Sequence, residues 1–187
     1  MVHIKSKNRA ESERKYRDAR SLAMTVLEPE VQELTGLPVR LKGIDQAALA
    51  AADAWRETYR DLGRDAHRPG WNGNKEAKRF GGRSRRVELA IWLDDTLCGL
   101  ALGRISDRRV VATIHLLEGN PVANPLSGRV IPIASRFLEV LAITVGCREA
   151  AIDSPVPGLV HRYRAMGFTK EVTRGKKVIR LAKSIVP

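Results

Sequence analysis

The chain has 187 residues, 43% apolar and 29% charged, which suits a globular protein with one core and an extension. Its net charge of +12 and pI near 10.3 point to an acidic macromolecule as partner or substrate, because such a field concentrates polyanions. No apolar run approaches the ~20 residues that span a bilayer, the first residues lack a signal-peptide core, and Cys98 and Cys147 stand in no metal-type spacing, so the expectation is a cytoplasmic protein with reduced cysteines, no membrane segment and no metal.

Residues 8–28 have helical periodicity, with Tyr16, Ala19, Leu22, Ala23, Val26 and Leu27 on one face and basic residues behind. Pro29 is expected to start a short second helical turn, closed by Gly36, Leu37 and Pro38. Residues 1–36 thus read as a basic helical extension before a domain at 37–187. Val39, Arg40, Leu41 and Lys42 alternate apolar and basic, the period of a half-buried strand. Asp45 is a plausible N-cap for an Ala-rich helix to about residue 62, its buried face marked by Ala52, Trp55 and Tyr59.

Residues 67–86 are rich in turn formers and basic side chains. Trp71 and Phe80 could stack on bases while Lys75, Lys78, Arg79, Arg83 and Arg86 hold phosphates of RNA or DNA. The same loop could instead shape a substrate site, with His67 and Trp71 the favoured residues. A solvated surface loop has this composition too. Residues 87–93, 96–104 and 110–117 then read as an antiparallel meander, separated by turns at Asp94-Asp95 and Ser106-Asp107-Arg108.

After the third of these strands, Gly119, Asn120 and Pro121 punctuate the chain, and the pattern changes period. Ile133, Ala134, Phe137, Leu138, Leu141 and Ala142 recur at helical spacing, predicting a helix over 131–145. Ala150, Ala151 and Ile152 predict a short buried strand at 149–153, parallel to 110–117. A second helix follows Pro157, and residues 168–172 and 177–181 read as a closing hairpin around Gly175.

This order resembles the acetyl-CoA-binding half of the GNAT acetyltransferase superfamily. Arg129 and Ala134 match the first and last positions of the family's Arg/Gln-x-x-Gly-x-Gly/Ala helix entry, and Tyr163 through Gly167 and Phe168 matches its Tyr-x-x-x-Gly-Phe. The resemblance covers roughly residues 87–183. It departs at Val130 and Pro132, where glycines are common, and at Val156, where the family has Asn. Proline has no N–H, so one donor of a pyrophosphate cradle is missing, although proline suits the first helical turn.

The resemblance implies a mixed α+β fold whose central sheet splays after the strand ending near Leu117. Acetyl-CoA is the implied cofactor, with its pyrophosphate over the amides of Ile133, Ala134 and Ser135, Arg129 nearby, and Leu117 and Ser154 along the pantetheine arm. Tyr163 takes the family position of the acid that protonates the thiolate, and Glu118 is the candidate base. The implied function is N-acetyltransferase acting on an amine of a macromolecule, a protein or a charged tRNA. The alternative is a non-catalytic module of the same fold that binds nucleic acid or a partner protein.

Overall fold

The computed structural model describes residues 2–61, 83–122 and 124–185. In chain order the elements are α1 (Val2–Thr35), β1 (Val39–Lys42), α2 (Gln46–Asp61), β2 (Arg86–Leu93), β3 (Thr96–Ile105) and β4 (Val111–Gly119). They continue with α3 (Val130–Val145), β5 (Glu149–Asp153), a 3₁₀ turn (Pro157–Leu159), α4 (Val160–Ala165), β6 (Lys170–Arg174) and β7 (Lys177–Ser184). The strands form one mixed sheet in the order β1-β2-β3-β4-β5-β7-β6. Among the described strands only β4 and β5 run parallel, and α3 makes the crossover between them. The α+β class, the meander, the crossover helix and the terminal hairpin are as the sequence implies.

Helices cover the two sheet faces through separate cores. On one face, α3 packs Ile133, Ala134, Phe137, Leu138, Leu141 and Ala142 against Ala112, Ile114, Ala150 and Ile152, joined by Tyr16, Leu27 and Val31 of α1. On the other, Ala48, Ala52 and Trp55 of α2 meet Ala90, Leu97, Leu100 and Leu102. Asp45 caps α2 through a 2.8 Å hydrogen bond that its Oδ1 accepts from the Ala48 amide. Gly146, at φ +76°, ends α3, with the amides of Gly146 and Cys147 donating to the Ile143 and Ala142 carbonyls.

The N-terminal helix corrects two expectations. Pro29 lies inside α1 and starts no new helix. A helix-interior proline costs ~3 kcal/mol, and Leu27 and Val31, both buried beside it, offset that by packing on the sheet. The buried stripe is also rotated from the apolar one. Leu22 and Val26 are about half exposed, whereas Arg20 is only 2% exposed. Arg20 donates to the Ser84 and Arg86 carbonyls and pairs with Glu88 at 3.1 Å and Glu13 at 3.4 Å. Burial pulls its pKa down, against the pull of the Glu88 charge. A buried cation held by two carboxylates and two carbonyls therefore sets how α1 meets β2.

The decisive irregularity lies between β3 and β4. Their register passes from Leu102↔Leu116 to Gly103↔Ile114, so His115 is an extra residue on β4. Such a bulge bends its strand and re-aims a side chain. At this point the β4 backbone presses on residue 103, where a Cβ would overlap the Thr113 carbonyl oxygen and lie 2.8 Å from its carbon. Only glycine fits.

Gly103→Ala should therefore destabilise the fold by about 3 kcal/mol or more, measured by urea unfolding. Gly158→Ala, with nothing within 4 Å and an ordinary φ, should stay near wild type. Equal stabilities would remove the constraint. Cys147 is buried, and burial pushes its thiol up to about 11, partly opposed by Arg109. Folded protein should thus resist iodoacetamide at pH 8 and react on unfolding. Because the folded value is raised, stability should fall as pH climbs from ~8.5 toward that value.

Candidate functional site

The parallel ladder between β4 and β5 is short. It runs from Val111↔Glu149 to Ile114↔Ile152 and stops, while β4 continues to Gly119. The strands therefore part after Ile114, three residues earlier than Leu117. The first residues past the ladder are His115 and Asp153, and their side chains meet with His115 Nδ1 2.9 Å from Asp153 Oδ2. The other carboxylate oxygen accepts from Arg180 on β7 at 2.9 Å, and Arg180 also reaches the Thr113 hydroxyl at 3.4 Å. Burial alone would raise the Asp153 pKa. The hydrogen bond from His115 and the charges of Arg180, His115 and Arg104 outweigh it and hold the carboxyl below its ordinary value. Next along β5, Ser154 is exposed and left-handed at φ +49°, its amide donating to the Ile179 carbonyl.

The far end of β4 is pinned to β3. Asn120 donates from its amide side chain to the Leu97 carbonyl, and Asn124 donates to that of Cys98. Asn124 Oδ1 in turn accepts from the Leu126 amide, which fixes the approach to α3. Tyr59 of α2 donates its hydroxyl to the Gly119 carbonyl at 3.2 Å. Glu118 stands opposite Leu100 on β3, and Leu117 packs at the margin of the α3 core.

The entry of α3 departs from the expected donor set. Arg129 is the N-cap residue, and its carbonyl already accepts from the Ile133 amide at 3.1 Å. Ile133, Ala134 and Ser135 lie past the first three helical positions, so their amides belong to the helix ladder. Their side chains are buried, and Ser135 is one of the residues lining a cavity of ≈ 220 Å³ between α1 and α3. Val130 and Ile131 are the first two helical positions, whose amides precede the ladder, and Pro132 supplies no N–H at the third. Val130 fills the space above Gly99, where a Cβ would lie 2.6 Å from its Cγ1.

Two guanidinium groups flank this entry. Arg129 donates to the Thr35 carbonyl at the end of α1 at 3.1 Å, and Arg162 of α4 donates to the Gly128 carbonyl at 2.6 Å. Tyr163, next to Arg162, is 4% exposed, with its ring edge-on to Phe168 at 6.3 Å between centroids.

The basic loop is only partly in view. His67, Trp71, Lys78 and Arg79 lie outside the described residues. Arg83 is exposed. Arg86 does not present its charge outward as the phosphate reading requires, because it pairs with Glu13 at 2.7 Å and Glu88 at 2.9 Å. Among the described residues, no helix is long and apolar enough to cross a membrane.

No protein-family model matches the chain, and no curated protein matches its sequence. Solved structures do match its fold. The ribosomal-protein-S18-alanine N-acetyltransferase from Escherichia coli superposes with TM-score 0.58 at 14% identity, covering 80% of this chain and 95% of its own. The aminoglycoside 6'-N-acetyltransferase from Enterococcus faecium gives 0.56 at 15% identity, with 79% and 97% covered. The PaiA N-acetyltransferase from Thermoplasma acidophilum, solved in complex with coenzyme A, gives 0.51 at 14% identity, with 78% and 98% covered. The chain has the fold of the GNAT acetyltransferases in a divergent sequence.

Proposed function

We propose that the protein is an N-acetyltransferase that moves an acetyl group from acetyl-CoA to an amine. The observation that carries this is the parting of β4 and β5 after Ile114, with the entry of α3 beside the far end of β4, where a Cβ on Gly119 would lie 3.8 Å from Val130 Cγ2. β4 runs on past the ladder along one side of that notch, and the N-terminus of α3, flanked by Arg129 and Arg162, lies at its end. Helix N-terminal amides and the macrodipole favour an anion there. Acetyl-CoA, when bound, supplies the activated acyl thioester. The residues fit it through the amides of Val130 and Ile131, with Arg129 and Arg162 close enough to add charge. Leu117 and Ser154 border the two separating strands.

The chemistry asked of the chain is modest. Glu118, at the β4 end, draws the acceptor's ammonium toward the notch. Tyr163 holds the proton that the leaving thiolate needs. Its edge-on contact with Phe168 and the adjacent Arg162 contact fix the ring on α4. The net charge of +12 supports an acidic acceptor, a protein or a charged tRNA, gathered by the field of the whole surface. Pro132 and Val130 favour the second reading, a module of this fold that binds nucleic acid or a partner protein without turnover. Thermal shift with acetyl-CoA, followed by thiol release with amine acceptors, separates the two. A shift with release supports the enzyme, and a chain that binds RNA but no acetyl-CoA supports the module.

Two variants sharpen this reading. Pro132→Ala restores one outward amide, so acetyl-CoA should bind about tenfold tighter, the value of one hydrogen bond to a charged group. Unchanged affinity by calorimetry would place the pyrophosphate elsewhere. Tyr163→Phe keeps the edge-on ring contact and removes only the hydroxyl, so turnover should fall by about 10²–10⁴ with little change in melting temperature. Full activity in that variant would strip Tyr163 of the acid role.

A further inference from the structure

We propose that His115 is the general base for the acceptor amine and that Asp153 is its positioning residue, an assignment that rests on the acetyltransferase reading above. The juxtaposition follows from two irregularities at one place. The β4 bulge inserts His115, and the parallel ladder ends one residue before it. The first residue past the ladder on each strand thus meets the other across the seam, at 2.9 Å. The sequence separation is 38 positions, and no local pattern announces it.

The hydrogen bond decides which nitrogen is basic. An ionised Asp153 accepts from Nδ1–H, so the lone pair of the neutral ring resides on Nε2. Arg180 holds the carboxylate from β7 and is itself bonded to Thr113, which leaves Asp153 little freedom to turn away. His115 and Asp153 are 22% and 26% exposed, so the pair is shielded yet within reach of a small group entering the notch. Asp153 on β5 pairs with the imidazole, Arg180 on β7 and Arg104 on β3 act on that carboxylate, and Glu118 lies three residues further along β4. An imidazole, with an ordinary pKa of about 6.5, is better matched to proton abstraction near neutrality than a carboxylate at about 4.3.

The proton inventory closes. His115 Nε2 takes one proton from the ammonium and returns it to water. The freed nitrogen lone pair forms the C–N bond to the thioester carbonyl, and the C–S bond breaks with its electron pair leaving on sulfur. Nitrogen then loses its second proton to solvent, while Tyr163 protonates the thiolate and is itself reprotonated from solvent. One amide, one thiol and one released proton result.

Two kinds of measurement test this. In the ligand-free protein, the imidazole of His115 is followed by NMR against pH in wild type and Asp153→Asn. Removing the anion disfavours the imidazolium, so the His115 titration should move to lower pH. In kinetics with acetyl-CoA and an amine, wild-type kcat/KM should fall on the acid side with the imidazole titration. His115→Gln should lose about 10²–10⁴ of kcat/KM at neutral pH and lose that acid limb. His115→Ala should regain activity with added imidazole, which a merely structural role would not allow. An unmoved His115 titration in Asp153→Asn would overturn the positioning role. A wild-type pH profile in His115→Gln, with acetyl-CoA still bound, would overturn the base assignment alone. Absence of acetyl-CoA binding by wild type would remove the acetyltransferase reading and this assignment together.

Discussion

The architecture of the site depends on the missing side chain at Gly103. Because that position has no Cβ, the β4 backbone can lie against it, absorb an extra residue and bend. The bend ends the pairing of β4 with β5 after Ile114, and the seam opens where a continuous parallel sheet would have stayed shut. Hydrogen-bonded parallel strands offer no free backbone groups to a ligand. A bulge is the economical way to release several at once, because the strand keeps its antiparallel partner on the other side. Here β4 remains paired with β3 as far as Gly99↔Gly119 while its ladder with β5 stops at Ile114.

The helical elements turn that opening into an oriented cleft. Asn120 and Asn124 tie the loop after β4 to β3, so α3 begins beside the notch and cannot drift from it. The long N-terminal helix contributes near its middle and at its C-terminus. Near its middle, Arg20 is locked between Glu88, Glu13 and two carbonyls. At its C-terminus the Thr35 carbonyl meets Arg129, the residue that caps α3. Between them Glu30 pairs with Arg136 of α3 at 3.0 Å. The same helix therefore braces the sheet edge at β2 and the N-terminal end of α3. Its basic composition serves partly internal contacts, and Arg20 and Arg86 leave the pool of surface charge open to a polyanion.

Much of the fold was legible because it is written in local periods. The change from alternation to helical spacing between residues 117 and 133 marks β4, α3 and the crossover, and Asp45 and Gly146 punctuate their helices by ordinary capping chemistry. What escaped was non-local. The bulge arises from contact between residues on two strands, so nothing in the 110–117 pattern sets His115 apart. Arg20 falls among the basic residues behind the apolar face because its carboxylate partner Glu88 is 68 residues away in sequence. The motif fixes residue types, whereas the capping residue fixes which amides stay outside the helix ladder. With Arg129 as N-cap and the Ile133 amide already bonded to its carbonyl, the helical amides ahead of the ladder are those of Val130 and Ile131.

Hydrogen exchange with and without acetyl-CoA tests the central claim most directly, because it reads the backbone amides themselves. Acetyl-CoA should slow exchange in peptides covering 115–119 on β4 and 128–131 at the entry of α3. Peptides from the distant β1–β2 edge should be unaffected. Unchanged exchange at both segments under saturating acetyl-CoA, or protection confined to other parts of the sheet, would contradict a cofactor cleft at the β4–β5 seam.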